Sequence, residues 1–401
     1  MTNICIGLKS MVEEYVKEKV ERYIKNTPFY ASDIRYSCKN WEEYPILEKA
    51  TVNKHLDMFN IDYIKHMHTR SSGSSGQITN TYWDEMEYLR SLGHLWRIRK
   101  QYGISPKDKY CTAHVNYETK ERILNSKVVI NRNCLSICKL YIDDESLARY
   151  VSEIEQFQPR WMIVPPSFLL AVLNYVVRSK SRLPETIVLI ELNGEFCTQG
   201  MMLKVREILP NVNVVNMYGM QECNGIAYGN SNILKVIEKN VFVETIDKSN
   251  RSVFGIEGDI IITTLSNSVM PFIRYKTGDK GILDKEGNLI LTSCRCNDSL
   301  EINGVSYDGA IFWNIVENMN FSFCNGAIKW FTVIYENNEL TFKLIIDQTA
   351  RSIDTQEIRS WLIEFIHNYY CWNIEIRVES VNAIDNRVNS NKIKYFINRN
   401  I

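Results

Sequence analysis

No CxxC pair, no apolar run long enough to cross a membrane and no excess charge of either sign occur in this sequence, and each absence closes off a class of protein. Lys+Arg and Asp+Glu both total 47, giving a formal net charge of +0. No global field therefore draws the chain to nucleic acid or to an anionic membrane, and any anion has to be gripped locally. The longest apolar stretch, residues 161–177, is broken by Pro165, Pro166 and Asn174. It falls short of the ~20 residues a membrane helix needs and reads as core. The 11 cysteines are an odd number whose nearest groupings are Cys134 with Cys138 and Cys294 with Cys296. The 6 histidines, among them His66 and His68 in a polar stretch, complete no metal-ligand spacing with them, and reduced thiols are expected. The opening MTNICIGLKS lacks a basic region followed by an apolar one and a small-residue cleavage site. A cytoplasmic protein is the expectation.

What is present is apolar material, 45% of 401 residues, enough to fill two or three folding units. Leu8, Met11, Val12, Tyr15, Val16, Val20, Tyr23 and Ile24 recur at helical spacing until Pro28. Further on, apolar runs at 161–164, 186–192 and 212–218 alternate with helical patterns at 167–177 and 197–209. Starts about 25 residues apart are what parallel βαβ units require. In such sheets ligands bind beyond the carboxyl ends of the strands, here at the turns Asn193-Gly194-Glu195 and Tyr218-Gly219-Met220-Gln221-Glu222. After about residue 230 shorter β-rich runs, such as 260–265 and 288–292, suggest antiparallel pairing. Near residue 298 a second unit begins. It has strands at 328–335 and 340–346 about the turn Glu336-Asn337-Asn338-Glu339, a helix capped by Asp354 with Glu357 three residues on, and an alternating strand through Trp372, Ile374, Ile376 and Val378. The expected fold class is α/β: a large N-terminal domain, 1–297, with a parallel βαβ sheet and a β-rich subdomain, then a small α+β domain, 298–401.

The segment Ser71-Ser72-Gly73-Ser74-Ser75-Gly76 carries hydroxyls and glycine-freed backbone N–H groups, the parts that wrap a polyphosphate. It is not a Walker loop, because Gly76 is followed by Gln77 and Ile78 rather than by Lys and Ser or Thr. Taken alone, such a run is also the composition of a flexible loop. Four more segments follow it in order: Tyr218-Gly219-Met220-Gln221-Glu222, Arg274-Tyr275-Lys276-Thr277-Gly278-Asp279, Arg295-Cys296-Asn297-Asp298 and Asn391-Lys392-Ile393-Lys394. This ordered series resembles the adenylate-forming superfamily of acyl-CoA synthetases, peptide-synthetase adenylation domains and luciferases. It looks most like the phenylacetate-coenzyme A ligase branch, through Tyr44-Pro45-Ile46-Leu47-Glu48-Lys49, Gly194-Glu195 and Ile273-Arg274-Tyr275. The resemblance spans about residues 41–396.

The resemblance implies an enzyme that joins a small-molecule carboxylic acid to the α-phosphate of ATP with Mg²⁺, releases pyrophosphate, and passes the acyl group to coenzyme A or a carrier-protein phosphopantetheine. By similarity, Ser71 to Gly76 would hold the β- and γ-phosphates, Glu222 would bind Mg²⁺, Tyr218-Gly219 would flank the adenine and the acyl site, and Glu195 would be among the cofactor-binding residues. Asp279 would accept from both ribose hydroxyls, and Arg295 would reach the same sugar. Lys392 would bridge carboxylate and α-phosphate, although Lys394 stands two residues away. Asp298 would be the hinge about which the small domain rotates as a lid, closing a thiol tunnel near Gly304. The acid pocket would draw on residues 111–117 with His114, on 165–168, on 193–195 with Asn193 and Gly194, and on 218–220 with Met220. An aryl or small acyl acid is favoured. An acyl or peptidyl carrier protein and a second copy of the chain are the partners compatible with this reading; nucleic acid and membrane are not. The chain departs from the superfamily at Ile78, Thr79, Gln221, Cys294 and Asn391, none of which removes a charged group the chemistry needs. Those departures keep open a catalytically silent nucleotide or acyl-AMP-binding scaffold, and a stand-alone domain that activates an amino acid is the other alternative.

Overall fold

The computed structural model describes residues 2–37, 41–70, 79–114, 128–139, 144–195, 197, 199–230, 233–293, 299–302, 305–309, 311–324, 327–347, 354–370, 372–384 and 395–400. They form two compact units, one comprising Met1–Gly73, Gln77–Pro106 and Val215–Thr292, the other Ser74–Gly76, Lys107–Val214 and Ser293–Ile401.

The first unit opens with the expected amphipathic helix, Thr2–Asn26, which buries Val16, Val20 and Tyr23. Pro28 ends it and starts a short helix, Pro28–Ala31, at a position where its missing N–H costs nothing. The strands Met67–Arg70 and Asn80–Trp83, which flank the Ser/Gly segment in sequence, pair antiparallel with Arg70 opposite Asn80. Helix Glu85–Gln101 follows, its first turn capped by the Asp84 carboxylate on the Glu87 N–H at 3.0 Å. The β-rich remainder runs in the order Ser252–Val253, Val241–Ile246, Glu257–Thr264, Tyr275–Leu283, Asn288–Ser293, Ile233–Val236, Asn224–Gly229, Asn213–Met220. Antiparallel pairing joins Val241–Ile246 to Glu257–Thr264, Glu257–Thr264 to Tyr275–Leu283, and Asn213–Met220 to Asn224–Gly229, as the sequence suggests. The core beneath it includes Tyr30, Phe59, Ile262, Phe272, Tyr275 and Leu289. Arg274 is wholly buried at φ 49°. Its guanidinium donates to the carbonyls of Glu42, Tyr44 and Asn250 and pairs with Glu244 at 3.3 Å. Leu47 bonds on both sides of Tyr275, to the Arg274 carbonyl and the Lys276 N–H, each at 2.9 Å.

The second unit holds the parallel sheet, in the order Leu189–Asn193, Trp161–Val164, Tyr110–His114, Cys134–Cys138, Val128–Asn131. The first four strands run parallel and the last antiparallel. Helices Asp144–Phe157, Pro166–Ser179 and Gln199–Ile208 accompany it. The run expected from residue 186 becomes a strand only at Leu189, because Thr186 is taken up by the Pro159 carbonyl, which its hydroxyl meets at 2.9 Å. Toward the C-terminus lies a four-stranded sheet in the order Glu375–Ser380, Glu339–Ile346, Ile328–Glu336, Phe396–Asn398, with helices Ile311–Ser322 and Thr355–Tyr370. This is the expected β-β-α-β arrangement. Glu336 pairs with Glu339 across a two-residue turn whose residues, Asn337 and Asn338, both have positive φ (51° and 63°), the geometry that matches strand twist in a tight hairpin. Asp354 caps the following helix, accepting from the Gln356 N–H at 3.0 Å. One apolar cluster joins this region to the parallel sheet's helices, Leu170 and Ala171 on one side, Val316 and Phe331 on the other. Asp347 ties the same elements together, pairing with Arg178 at 3.5 Å and Lys329 at 3.4 Å. No helix among the described residues is long and apolar enough to cross a membrane.

Candidate functional site

In the first unit the chemistry gathers where two strands lose their register. Asp259 pairs with Lys280 and Ile261 with Lys276, so Thr277, Gly278 and Asp279 face the single residue Ile260. That excess bulges out of the ladder, and Gly278 at φ 85° makes the bend without the penalty a Cβ would bring. The Thr277 hydroxyl anchors it, donating to the Ile260 carbonyl at 2.9 Å and accepting from the Asp279 N–H at 3.1 Å. Asp279 is buried, and its Oδ2 accepts from the Tyr218 hydroxyl at 2.7 Å. A bond this short to a charged acceptor belongs to the strong class.

Tyr218 stands next to a second irregularity. It pairs with Ala227 while Gly219 pairs with Gly225, which leaves Ile226 without an opposite number. Gly219 lies so close to that strand that an added Cβ would sit 2.2 Å from the Asn224 carbonyl oxygen. Two residues past Met220 the chain buries Glu222 completely. Its Oε1 accepts from the Tyr275 hydroxyl at 3.2 Å, while its Oε2 has no hydrogen-bond partner among the described residues. A buried carboxylate oxygen left open is costly unless something completes it. The neighbouring Cys223 thiol is held far above its ordinary pKa by burial and then by the Glu222 charge, so it stays protonated beside the carboxylate.

In the second unit the carboxyl ends of the parallel strands carry the other turn. Asn193 closes its strand, Gly194 follows at φ 79°, and the carboxylate of Glu195 meets the Lys139 ammonium at 3.1 Å. His114 is the last residue of its own strand, paired with Cys138; its side chain lies outside the described residues. Cys197, beyond Glu195, is pushed up to about 12 by burial, with Arg206 opposing the shift, and is no nucleophile near neutral pH.

Of the residues singled out from sequence, Glu222, Tyr218, Gly219, Met220 and Asp279 share the first unit, and Tyr218 and Asp279 are in direct contact. Asn193, Gly194 and Glu195 share the second. Ser71, Ser72, Gly73, Ser74, Ser75, Gly76, Arg295, Asp298, Gly304, Lys392 and Lys394 lie outside the described residues. Sequence reasoning missed the work of Tyr275, Thr277 and Lys139. The first two stand inside a quoted motif, but only their hydroxyl contacts reveal what they do. Among the described residues no group of three or more His, Cys, Asp or Glu side chains comes together for a metal. Glu222 alone still suits Mg²⁺, which keeps most of its waters and commonly takes one or two carboxylates beside substrate phosphates.

No family model matches the chain. A curated relative, the phenylacetate-coenzyme A ligase of Aromatoleum evansii, is 30% identical over 139 residues, 33% of this chain and 31% of that protein. Protein CapK of Staphylococcus aureus is 24% identical over 284 residues, 67% of this chain and 62% of that one. The chain thus spans about a third and somewhat over three fifths of these relatives' own lengths. Among solved structures, a 2-hydroxyisobutyryl-CoA ligase in its postadenylation state, bound to R3-HIB-AMP, superposes with TM-score 0.74 at 15% identity, covering 97% of this chain and 89% of the other. The O-succinylbenzoate coenzyme A synthetase of Bacillus subtilis, in complex with ATP and magnesium, gives TM-score 0.52 at 17% identity over 81% and 69%. The fold is that of the mixed α/β adenylate-forming enzymes. The similarity to a phenylacetate-coenzyme A ligase over part of the chain agrees with the resemblance drawn from the ordered motifs.

Proposed function

We propose that this chain activates a carboxylic acid with ATP as an acyl-AMP and then transfers the acyl group to a thiol. The observation that carries the reading is the buried polar pair of contacts in the first unit, Tyr218 to Asp279 and Tyr275 to Glu222, with Glu222 Oε2 unpartnered among the described residues. Polar groups so placed amid an apolar core are expensive, and a nucleotide with its cation explains both. Asp279 accepts hydrogen bonds from the ribose hydroxyls, its orientation fixed by Tyr218. Glu222 holds Mg²⁺, which when bound offsets phosphate charge. Ser71 to Gly76 wrap the β- and γ-phosphates, and the hairpin that flanks them supports such a loop. Glu195 lines the nucleotide side of its turn, Arg295 reaches the ribose, and His114, Asn193, Gly194 and Met220 border the acid.

The substrate carboxylate oxygen attacks the α-phosphorus, the bond to the bridging oxygen breaks, and pyrophosphate departs. Lys392 brings the two anions together. The domain 298–401 then turns as a lid about Asp298, a thiolate sulfur attacks the acyl carbon, and AMP leaves. Coenzyme A is the favoured acceptor, since both the phenylacetate-coenzyme A ligase and the structural neighbours are named for it; a carrier-protein phosphopantetheine is the other. An aryl or small acyl acid fits the same comparisons. A cytoplasmic setting supplies ATP and suits cysteines that form no disulfide among the described residues.

The test is ATP–pyrophosphate exchange with Mg²⁺ over a panel of aryl, short-chain, fatty and amino acids, followed by each thiol acceptor. Exchange with aryl or small acyl acids and thioester with coenzyme A are expected. Nucleotide binding without exchange across the panel would turn the reading into that of a silent scaffold.

A further inference from the structure

Burying an ion pair is a poor way to stabilise a fold, because removing both ions from water costs about as much as their attraction returns. Lys139 and Glu195 are nevertheless paired at 3.1 Å with side chains only 9% and 7% exposed. Their place in the sheet offers a reason. Lys139 follows Cys138, the last residue of its strand, whose carbonyl is pinned by the Tyr150 hydroxyl at 3.0 Å. Glu195 lies two residues past Asn193, where the strand at the other side of the parallel set ends. Between them stand Tyr110–His114 and Trp161–Val164, and all four strands run the same way. The pair therefore bridges three strand spacings, roughly 14 Å of sheet edge, across the carboxyl ends where ligands of such sheets bind. At Gly194 an added Cβ would meet nothing within 4 Å among the described residues.

We propose that Lys139 is a positioning residue, whose ammonium fixes the Glu195 carboxylate and with it the 193–195 turn in the arrangement that receives the nucleotide. The inference rests on the adenylation reading only in taking ATP as the ligand. It explains why a charge pair rather than an apolar pair of the same volume occupies this edge: a carboxylate held from one side keeps its direction while a polar ligand comes and goes.

The experiment is calorimetric titration of the full chain with Mg²⁺-ATP, alongside thermal melting. Lys139→Met is expected to weaken ATP binding about ten-fold or more, and Lys139→Arg to stay within about three-fold of the parent, since it keeps the charge. In a Glu195→Gln background Lys139→Met should add less than about two-fold, because a residue that acts through another has no effect once that other is altered. Parental binding by Lys139→Met, or full additivity of the two changes, overturns the proposal. Should Lys139→Met fail to fold, Lys139→Met/Glu195→Met leaves no unpaired buried charge and should melt with the parent; ATP binding of parental strength in that variant equally overturns it. Pyrophosphate exchange by the unaltered protein judges the adenylation reading separately. A parent that binds Mg²⁺-ATP without exchange defeats that reading and leaves the Lys139 comparison valid.

Discussion

Asp279 is a buried acid whose Oδ2 accepts from the Tyr218 hydroxyl, and that contact separates two effects that usually travel together. In the proposed reading, removing the carboxylate removes a ribose partner, whereas removing the Tyr218 hydroxyl takes away one contact that directs it. Hydrogen bonds to charged groups contribute about 1.5–3 kcal/mol, which is about 10- to 100-fold in binding. Asp279→Ala is therefore expected to lower kcat/KM for ATP about 100-fold. Tyr218→Phe should raise KM about ten-fold with kcat little changed. Steady-state exchange against ATP concentration checks both; an unchanged KM in Tyr218→Phe would make the 2.7 Å contact a matter of folding alone. Asp279 was legible in the sequence because it ends a recognisable Arg-Tyr-Lys-Thr-Gly-Asp string. The task of Tyr275 was not, since the carboxylate it meets stands elsewhere in the chain, at Glu222.

Glycines act at the scale of the element, and three of them should respond differently to the same methyl group. At Gly219 the added carbon would collide with the Asn224 backbone oxygen at 2.2 Å, and neither strand can yield without shifting the register beside Tyr218. Gly219→Ala is expected to cost about 2–3 kcal/mol and to weaken ATP use as well. Gly278→Ala should cost about 1 kcal/mol, from the positive φ of the Thr277-Gly278-Asp279 bulge. Gly93 lies inside helix Glu85–Gln101 with open space around it. Gly93→Ala should raise stability by up to about 1 kcal/mol and leave exchange unchanged. Urea unfolding of the three variants gives the order directly, and a stabilised Gly219→Ala would refute the close approach. Helices, strands and the Asn337-Asn338 turn were readable from periodicity and turn chemistry. The two bulges were not, because a bulge is a mismatch between strands and no single strand carries it.

For the whole molecule, the proposed reaction divides between groups held in well-packed sheet and a C-terminal lysine. Lys392→Ala is expected to slow adenylation by at least about 100-fold while largely sparing thioester formation from supplied acyl-AMP, since the proposed lid turns between the two steps. Single-turnover assays of each half-reaction make the comparison. The same pattern in Lys394→Ala, absent from Lys392→Ala, would move the assignment by two residues. The region after residue 298 shares an apolar cluster with the helices of the parallel sheet, joined further by Asp347 with Arg178 and Lys329. Any turning of a lid has to release those contacts, so their strength bears on the rate of exchange between the two half-reactions.

The sequence by itself determined the α/β class, the parallel βαβ core, the β-β-α-β region and the order of the motifs, because hydrophobic period, turn residues and caps act over a few neighbouring positions. Only the tertiary structure decided that Tyr218 donates to Asp279, that Tyr275 donates to one oxygen of Glu222 and the other has no partner among the described residues, and that Lys139 meets Glu195 across two intervening strands. Those contacts join residues 53 to 61 positions apart, and a chain brings such partners together through packing and register, which local propensity does not encode.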